Sequence, residues 1–327
     1  MTKRQLDLSE PIIRAGAGAG AGISRRTALK LFSVVPFASA IPRGYAGAAA
    51  SSKNLNFLAI GDWGVSGSAG LKSVAASMGD YANSTQPDFI VSLGDNFYPS
   101  GVLSVTDALW NDVFETTFDS ASLYCPWYSI LGNHDYKRSP SAQIDYSAVS
   151  SRWSMPSFFY KRTFPLSTTE TVELFFLDTT ALASRTLSWQ RFSASHSPDE
   201  QLAWFASSLA ASSSKWKIVV GHHPVYSGGP HGDTDVLVTK VDPLLKRFGV
   251  KAYINGHDHN FQHIEKSGIH YFTSGNGAKL TPATDTESTK FMSSTLGFLS
   301  VSLSSEAMRV SFVDSDRRVV HEIIIEA

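Results

Sequence analysis

The chain has 327 residues, of which 43% are hydrophobic and 17% are charged. This composition is too apolar for a disordered chain, and the length is sufficient for one large domain or two ordinary ones. The formal net charge of -1 argues against a dedicated nucleic-acid binder, which needs a basic face. The single cysteine, Cys125, excludes an internal disulfide framework and a cysteine-rich zinc module.

The first 50 residues differ in charge from the rest of the chain. They hold seven of the 28 basic residues and two of the 29 acidic ones, so residues 51–327 carry a net charge of -6. The pair Arg25-Arg26 precedes a short apolar run at residues 31–41 and then an alanine-rich stretch. These are the three parts of a secretory signal, and the paired arginines resemble the twin-arginine export signal. We therefore expect residues 1–50 to be an export signal with a disordered leader.

The apolar run at residues 31–41 is too short to span a bilayer, which requires roughly 20 apolar residues. No later stretch of the sequence is long enough either. We therefore expect no stable membrane anchor, and delivery to the periplasm or the medium by the twin-arginine export machinery. A disordered tail with a chance Arg-Arg pair is the alternative interpretation.

Beyond residue 54, short apolar runs alternate with helical patterns, which favours α/β units in one continuous domain. The predicted strands in this part are Leu55–Ile60, Asp88–Leu93, Trp127–Leu131, Val172–Leu177, Lys217–Val220 and Ala252–Asn255. The predicted helices are Ala69–Tyr81, Thr106–Thr116, Pro198–Ala211 and Asp235–Phe248.

The end of the chain has a different pattern, with strand-like runs and no helices between them. These runs are Phe261–Glu265, Ile269–Thr273, Gly297–Ser302, Met308–Val313 and Arg318–Ile325. Consecutive strands without crossover helices favour antiparallel pairing. Residues 274–296 are predicted to form a long surface loop.

One pattern occurs five times: an apolar strand ends in glycine, and the next residue is able to bind a metal. The five pairs are Gly61-Asp62, Gly94-Asp95, Gly132-Asn133, Gly221-His222 and Gly256-His257. Glycine permits a sharp exit from a strand and close backbone approach to a ligand. Ligands of open α/β sheets bind at the carboxyl ends of the strands. A single Gly-Asp pair is an ordinary turn, but five at strand ends predict a common site.

Further candidate donors lie beside these pairs: Tyr98, His134, His231 and His259. The set is too large for one zinc ion, and it contains no thiolate. Hard oxygen donors with imidazoles favour iron, zinc or manganese. Two metals sharing a bridging carboxylate fit better, because paired ions serve the attacking and leaving oxygens of phosphoryl transfer.

The motifs G-D-W-G, S-L-G-D-N-F-Y, G-N-H-D, G-H-H-P and G-H-D-H-N are similar to those of the metallophosphoesterases, the calcineurin-like phosphatases. They most closely resemble the purple acid phosphatases of the small mammalian, tartrate-resistant type. The resemblance runs from about residue 55 to the end of the chain. It implies an α/β fold, a four-layer αββα sandwich with two mixed central sheets and metals at the strand carboxyl ends. Residues 51–327 would then be a single catalytic domain.

The resemblance also implies roles for nine residues. An Fe(III) ion would be held by Asp62, Tyr98 and His259. A second ion, Fe(II), Zn(II) or Mn(II), would be held by Asn133, His222 and His257. The residue bridging the two ions would be Asp95. The groups that bind or protonate the phosphate ester would be His134 and His231.

The implied function is that of an exported, binuclear metal-dependent acid phosphatase. It would hydrolyse phosphate monoesters by attack of a metal-bound hydroxide, with a protonated histidine as general acid. The expected substrates are small phosphate esters, and phosphoproteins or nucleotides are also compatible. We expect a monomer and no nucleic-acid partner.

Three alternatives remain at this level. The first is a phosphodiesterase of the same superfamily, and the second is a redox-active di-iron protein that uses the same residues. The third is a non-catalytic scavenger of metal or phosphate. The presence of both His134 and His231 argues against the scavenger, since scavenging needs no proton donor.

Overall fold

A computed structural model describes residues 54–183 and 197–327, and the predicted leader at residues 1–50 lies outside these ranges. The strands in the described ranges are β1 (Leu55–Ile60), β2 (Phe89–Ser92), β3 (Trp127–Ser129), β4 (Trp153–Ser154), β5 (Tyr160–Pro165), β6 (Thr171–Phe176), β7 (Trp216–Val220), β8 (Ala252–Asn255), β9 (Phe261–Lys266), β10 (Ile269–Ser274), β11 (Thr289–Ser293), β12 (Gly297–Leu303), β13 (Ala307–Asp314) and β14 (Val319–Glu326).

The helices of the same ranges are α1 (Ala69–Thr85), α2 (Ser141–Asp145), α3 (Thr179–Ala183), α4 (Pro198–Ala211) and α5 (Asp242–Arg247). Short 3₁₀ turns lie at Ala121–Leu123, Asp135–Lys137 and Tyr146–Ala148, and π-helical turns at Trp110–Glu115 and Leu237–Val241. No helix within the described ranges has both the length and the apolar character needed to cross a membrane.

The strands form two seven-stranded sheets. The first has the order β14-β13-β12-β1-β2-β3-β4, and the second has the order β11-β9-β10-β8-β7-β6-β5. In the first sheet, β1 to β4 are parallel, and β12 to β14 continue the sheet antiparallel from β1. In the second, β6, β7, β8 and β10 are parallel, while β5, β9 and β11 pair antiparallel. Both sheets are therefore mixed, as predicted.

Burial explains why these segments form central strands. All four residues of β2 and of β8 are buried, and β1 is buried at five of its six positions. A parallel strand that is covered on both faces has a continuous run of apolar residues, rather than apolar residues alternating with polar ones. Helix α4 begins with a capping box, in which the side chains and backbone N–H groups of Ser197 and Glu200 bond reciprocally.

The core has two parts. The larger part includes side chains from both sheets, such as Phe57, Trp127, Ile218 and Phe272, together with the buried face of α1. The smaller part lies between the second sheet and the helices α4 and α5. Helices therefore pack on each of two sheets that share a core, which confirms the predicted four-layer fold.

Several predicted elements differ from the structure. Residues 274–296 are not all loop, since β11 pairs with β9 at the edge of the second sheet. The predicted helix over Thr106–Thr116 is reduced to one π-helical turn at Trp110–Glu115. The predicted helix over Asp235–Phe248 changes at Asp242 from the π-helical turn Leu237–Val241 to α5, and Pro243 there has no N–H to donate to the preceding turn.

Candidate metal centre

The predicted ligands lie in turns that follow β1, β2 and β3 of the first sheet and β7 and β8 of the second. Three of these turns place their ligand in the left-handed region: φ is 58° at Asp62, 52° at Asp95 and 72° at His257. Side chains other than glycine rarely adopt this conformation, and it costs backbone energy. The strain therefore falls on the residues predicted to bind metal.

The glycines allow the turns to approach one another closely. A Cβ atom at Gly132 would lie 2.2 Å from Asp95 Oδ1, and one at Gly256 would lie 2.4 Å from Asp62 Oδ2. Neither distance is compatible with a side chain. At these two positions the Gly-X pattern thus reflects packing of one turn against the carboxylate of another.

The three residues predicted to hold the first metal converge. The Tyr98 hydroxyl donates to Asp62 Oδ1 at 2.9 Å and lies 3.1 Å from His259 Nε2. His259 Nε2 is 3.4 Å from the same Asp62 oxygen. The structure therefore brings a phenol, a carboxylate and an imidazole to one point.

The three residues predicted to hold the second metal also converge. His222 Nε2 lies 3.1 Å from Asn133 Oδ1 and 3.2 Å from His257 Nδ1. The other ring nitrogen of His222, Nδ1, is 2.9 Å from the carbonyl oxygen of Leu93. A carbonyl only accepts, so Nδ1 carries the proton and Nε2 presents its lone pair to the site.

Asp95 lies between the two groups. Its Oδ1 is 3.6 Å from His222 Nε2 and accepts a bond of 2.8 Å from the backbone N–H of His134. Ligand atoms of Asp62, Asp95 and His222 all lie within 4.8 Å of one another, and all three residues are buried. Two buried carboxylates this close are costly without a compensating cation.

The two predicted phosphate-binding histidines lie at the margin of the site. His134 Nδ1 is 2.7 Å from the carbonyl oxygen of Pro99, and its ring centroid is 4.4 Å from that of Tyr98. His231 Nδ1 is 2.7 Å from Asp258 Oδ1, and its ring centroid is 4.1 Å from that of His257. All nine residues selected from the sequence therefore lie together.

The electrostatic surroundings determine which of these groups are in a protonation state that can bind a cation. Burial, followed by the charges of Asp62 and Asp95, raises the pKa of Tyr98 well above its usual range. Burial and the neighbouring histidines lower the pKa of His257, so its ring is neutral. A neutral imidazole is a ligand as it stands, whereas Tyr98 ionises only beside a strong positive charge. The donor set therefore fits metal ions.

His223 is packed inside the site rather than exposed in a substrate pocket. Its Nδ1 lies 3.1 Å from Thr179 Oγ1, and its ring centroid is 4.3 Å from that of His257. Burial and the charge of His222 lower its pKa well below the usual value. It therefore packs against the ring of His257, a predicted ligand.

Thr179 is a residue that the sequence reasoning missed. Its hydroxyl oxygen accepts from the backbone N–H groups of both His222 and His223, at 3.0 and 2.9 Å. It follows β6, a strand of the second sheet that ends without glycine. A search for polar residues after every predicted strand, with or without glycine, would have found it.

Two further aspartates hold the turns in place. Asp135 accepts from the backbone N–H groups of Gly132, Asn96 and Phe97, and its buried position beside Asp95 raises its pKa to about 7. Asp258 accepts from His231, and this hydrogen bond raises the pKa of the His231 ring. Both aspartates thus orient neighbouring groups of the site.

Facing mixed sheets with oxygen and nitrogen donors at their carboxyl edge define a class, the metal-dependent phosphoesterases. The sequence model of the calcineurin-like phosphoesterase family matches residues 55–261. Tartrate-resistant acid phosphatase type 5 of Oryctolagus cuniculus is 39% identical over 251 residues, which cover 72% of this chain and 76% of that protein. Purple acid phosphatase 3 of Arabidopsis thaliana is 37% identical over 286 residues, 82% of this chain and 76% of that protein. The chain belongs to the calcineurin-like phosphoesterases, and within them to the family of tartrate-resistant and purple acid phosphatases.

Two solved structures are similar to the chain in fold. GAP50, described as the anchor in the inner membrane complex of Plasmodium, superimposes with a TM-score of 0.75 at 27% identity, covering 84% of this chain and 89% of that one. The purple acid phosphatase PPD1 of yellow lupin gives a TM-score of 0.66 at 15% identity, covering 85% and 55%, which shows the shared fold. The relatives named as acid phosphatases confirm the predicted family and its class of enzyme, a hydrolase.

Proposed function

We propose that the protein is an exported acid phosphatase that hydrolyses phosphate monoesters at a binuclear metal centre. One observation carries the proposal: two converging donor groups lie on either side of the buried carboxylate of Asp95. A single structural metal would need only one such group. Two groups with a shared carboxylate suit a pair of ions that act on one phosphate.

The two groups differ in chemistry, which supports different ions. Asp62, Tyr98 and His259 offer two anionic oxygens and would hold Fe(III). Asn133, His222 and His257 offer an amide oxygen and two ring nitrogens and would hold Fe(II), Zn(II) or Mn(II). When bound, the ions would polarise the phosphate and lower the pKa of a water molecule to provide the nucleophile.

The remaining groups of the site would move the proton. His231 is held at Nδ1 by Asp258, so Nε2 is the nitrogen that remains to donate to the leaving oxygen. The carboxylate stabilises the protonated ring, as a general acid requires. His134 would orient the ester through Nε2, since the carbonyl oxygen of Pro99 lies 2.7 Å from its Nδ1.

Export completes the proposal, with residues 1–50 as the twin-arginine signal and residues 51–327 as the catalytic domain that acts in the periplasm or outside the cell. Replacement of Arg25 and Arg26 by lysine tests it. The expected result is accumulation of folded, active enzyme inside the cell, whereas unchanged export would contradict the twin-arginine route. The control is a Lys30→Arg variant that keeps Arg25 and Arg26, and its export should be unchanged.

Hydrolysis assays separate this function from its rival in the same family. Purified, metal-loaded protein is expected to hydrolyse an aryl phosphate with a kcat/KM at least tenfold above that for the matching aryl diester. His231→Asn should depress turnover most with substrates whose leaving group is a poor one, because these need protonation. Faster cleavage of the diester would identify a phosphodiesterase instead.

A further inference from the structure

Two lysines that the proposed chemistry does not use stand at the rim of the metal centre. Lys279 Nζ lies 4.3 Å from the centroid of the Tyr98 ring. Lys137 Nζ lies 2.9 Å from His134 Nδ1. Because the Tyr98 and His134 rings are themselves in contact, the four side chains form a row with an ammonium group at each end. We call this row the lysine rim.

The backbone fixes both lysines beside the site. Gly277, two residues before Lys279, donates to the carbonyl of Gly61 at 3.1 Å, and Thr281, two residues after it, donates to the carbonyl of His259 at 2.8 Å. Lys279 is thus anchored on both sides to turns that carry predicted ligands. Lys137 ends the short turn Asp135–Lys137, which follows directly from His134.

The charges of the lysine rim are not neutralised by neighbouring carboxylates. Over residues 54–183 and 197–327, neither ammonium group has an Asp or Glu oxygen within 4.0 Å, whereas the exposed Lys215, Lys290 and Arg317 each do. Both rim lysines are solvent-exposed. Free cations beside a site for anions attract further negative charge and help to orient it.

We propose that Lys137 and Lys279 are specificity-determining residues that favour phosphate esters whose leaving group carries a second phosphate. The inference rests on the proposed phosphomonoesterase function. The phosphate undergoing hydrolysis would be held at the metal centre and by His134 and His231. The rim cations lie outside that group, so they are placed to contact an anion on the leaving group. Long, flexible lysine side chains suit such an anion at a variable distance.

A matched pair of substrates tests the proposal. Adenosine 5′-monophosphate and adenosine 3′,5′-bisphosphate differ by one phosphate, and cleavage of either ester of the bisphosphate leaves the other on the leaving group. The metal-loaded wild-type enzyme is expected to favour the bisphosphate in kcat/KM. The preference should fall about 5- to 30-fold in a Lys137→Met/Lys279→Met double variant, as expected for the loss of two partly exposed ion pairs. It should also weaken with added salt.

Binding provides a measurement that does not depend on turnover. Methylenebisphosphonate should bind more tightly than methylphosphonate to the wild-type protein, and the double variant should lose this difference. Lys240→Met is the control, since Lys240 is an exposed lysine on a π-helical turn that contributes no predicted ligand. It should leave both preferences at the wild-type value.

Three results distinguish the possible failures. Hydrolysis of both substrates with a preference that the double variant retains would overturn the lysine rim alone. In a second case, the double variant again retains the preference, but the visible absorption of the iron-loaded Lys279→Met protein is shifted. This result would show that Lys279 only balances the charge of Tyr98. Failure of the wild-type protein to hydrolyse either substrate would overturn the proposed function, and this inference with it.

Discussion

Tyr98 is the residue on which the proposed asymmetry of the two metal sites depends. Its hydroxyl is within 3.1 Å of both Asp62 and His259, and burial with two adjacent carboxylates opposes its ionisation. A phenolate at this point is therefore stable only beside a highly charged cation. This requirement explains why a trivalent ion is assigned to this half of the centre.

Substitution of Tyr98 tests the assignment. Tyr98→Phe keeps the ring but removes the oxygen, so the iron-loaded protein should lose its phenolate charge-transfer band in the visible spectrum. Its near-ultraviolet circular dichroism should remain that of a folded protein. Tyr81→Phe, a half-buried tyrosine on α1 that packs on Phe298, is the matched control and should keep the band. An unchanged band in Tyr98→Phe would show that the phenolate is misassigned.

At the scale of elements, the site consists of strand-end turns that hold one another in place. Gly132 follows β3 and touches Asp95 after β2, while Gly256 follows β8 and touches Asp62 after β1. The contact between Gly256 and Asp62 crosses from one sheet to the other. A change in one turn is therefore transmitted to a ligand on another.

Gly132→Ala should show this coupling. The added Cβ would overlap Asp95, so the carboxylate must move, and a displacement of about 1 Å at a catalytic group costs on the order of 100-fold in rate. Metal content, measured by atomic emission, should fall with the activity. Gly268→Asn is the control, because its positive φ suits asparagine and its Cβ meets no atom within 4 Å. Full metal content in Gly132→Ala would contradict the proposed packing.

Elements were predictable from the sequence where burial is complete. The bounds of β1, β8 and α4 match the predicted ones, because covered parallel strands read as apolar runs and α4 has a clear N-terminal signal. Strands β4, β5 and β11 were missed. They lie at sheet edges, where most of their side chains are at least partly exposed. The apolar pattern in their sequences is therefore weak. The convergence of the candidate site residues was predictable because each follows a strand-end glycine or lies close to one of the motifs. The contacts between the turns were not, because they depend on long-range packing.

At the scale of the whole molecule, a cluster of three histidines joins the two sheets. His263 on β9 has its Nδ1 3.1 Å from His321 Nε2 on β14 and its Nε2 3.0 Å from His270 Nδ1 on β10. Burial, followed by the charges of His270 and His321, lowers the pKa of His263 to about 3. Burial also lowers the pKa of His270 and of His321.

The cluster predicts a pH-dependent stability. An unfolded histidine titrates near 6.5, so between that value and about 3 the unfolded chain binds more protons at this position than the folded chain does. The free energy of unfolding should therefore fall as the pH falls through this range, by up to about 1.4 kcal/mol per pH unit for His263. Urea unfolding of His263→Gln should give a shallower dependence than the wild type. Equal slopes would contradict the prediction.

Metal stoichiometry at full activity tests the central claim most directly. Metal-free protein is titrated with iron and zinc while hydrolysis of an aryl phosphate and bound metal are both recorded. The proposed centre predicts that activity reaches its plateau at two ions per chain, and that His222→Ala binds one ion fewer and loses activity. A plateau at one ion per chain, or full activity in metal-free protein, would contradict a binuclear phosphatase.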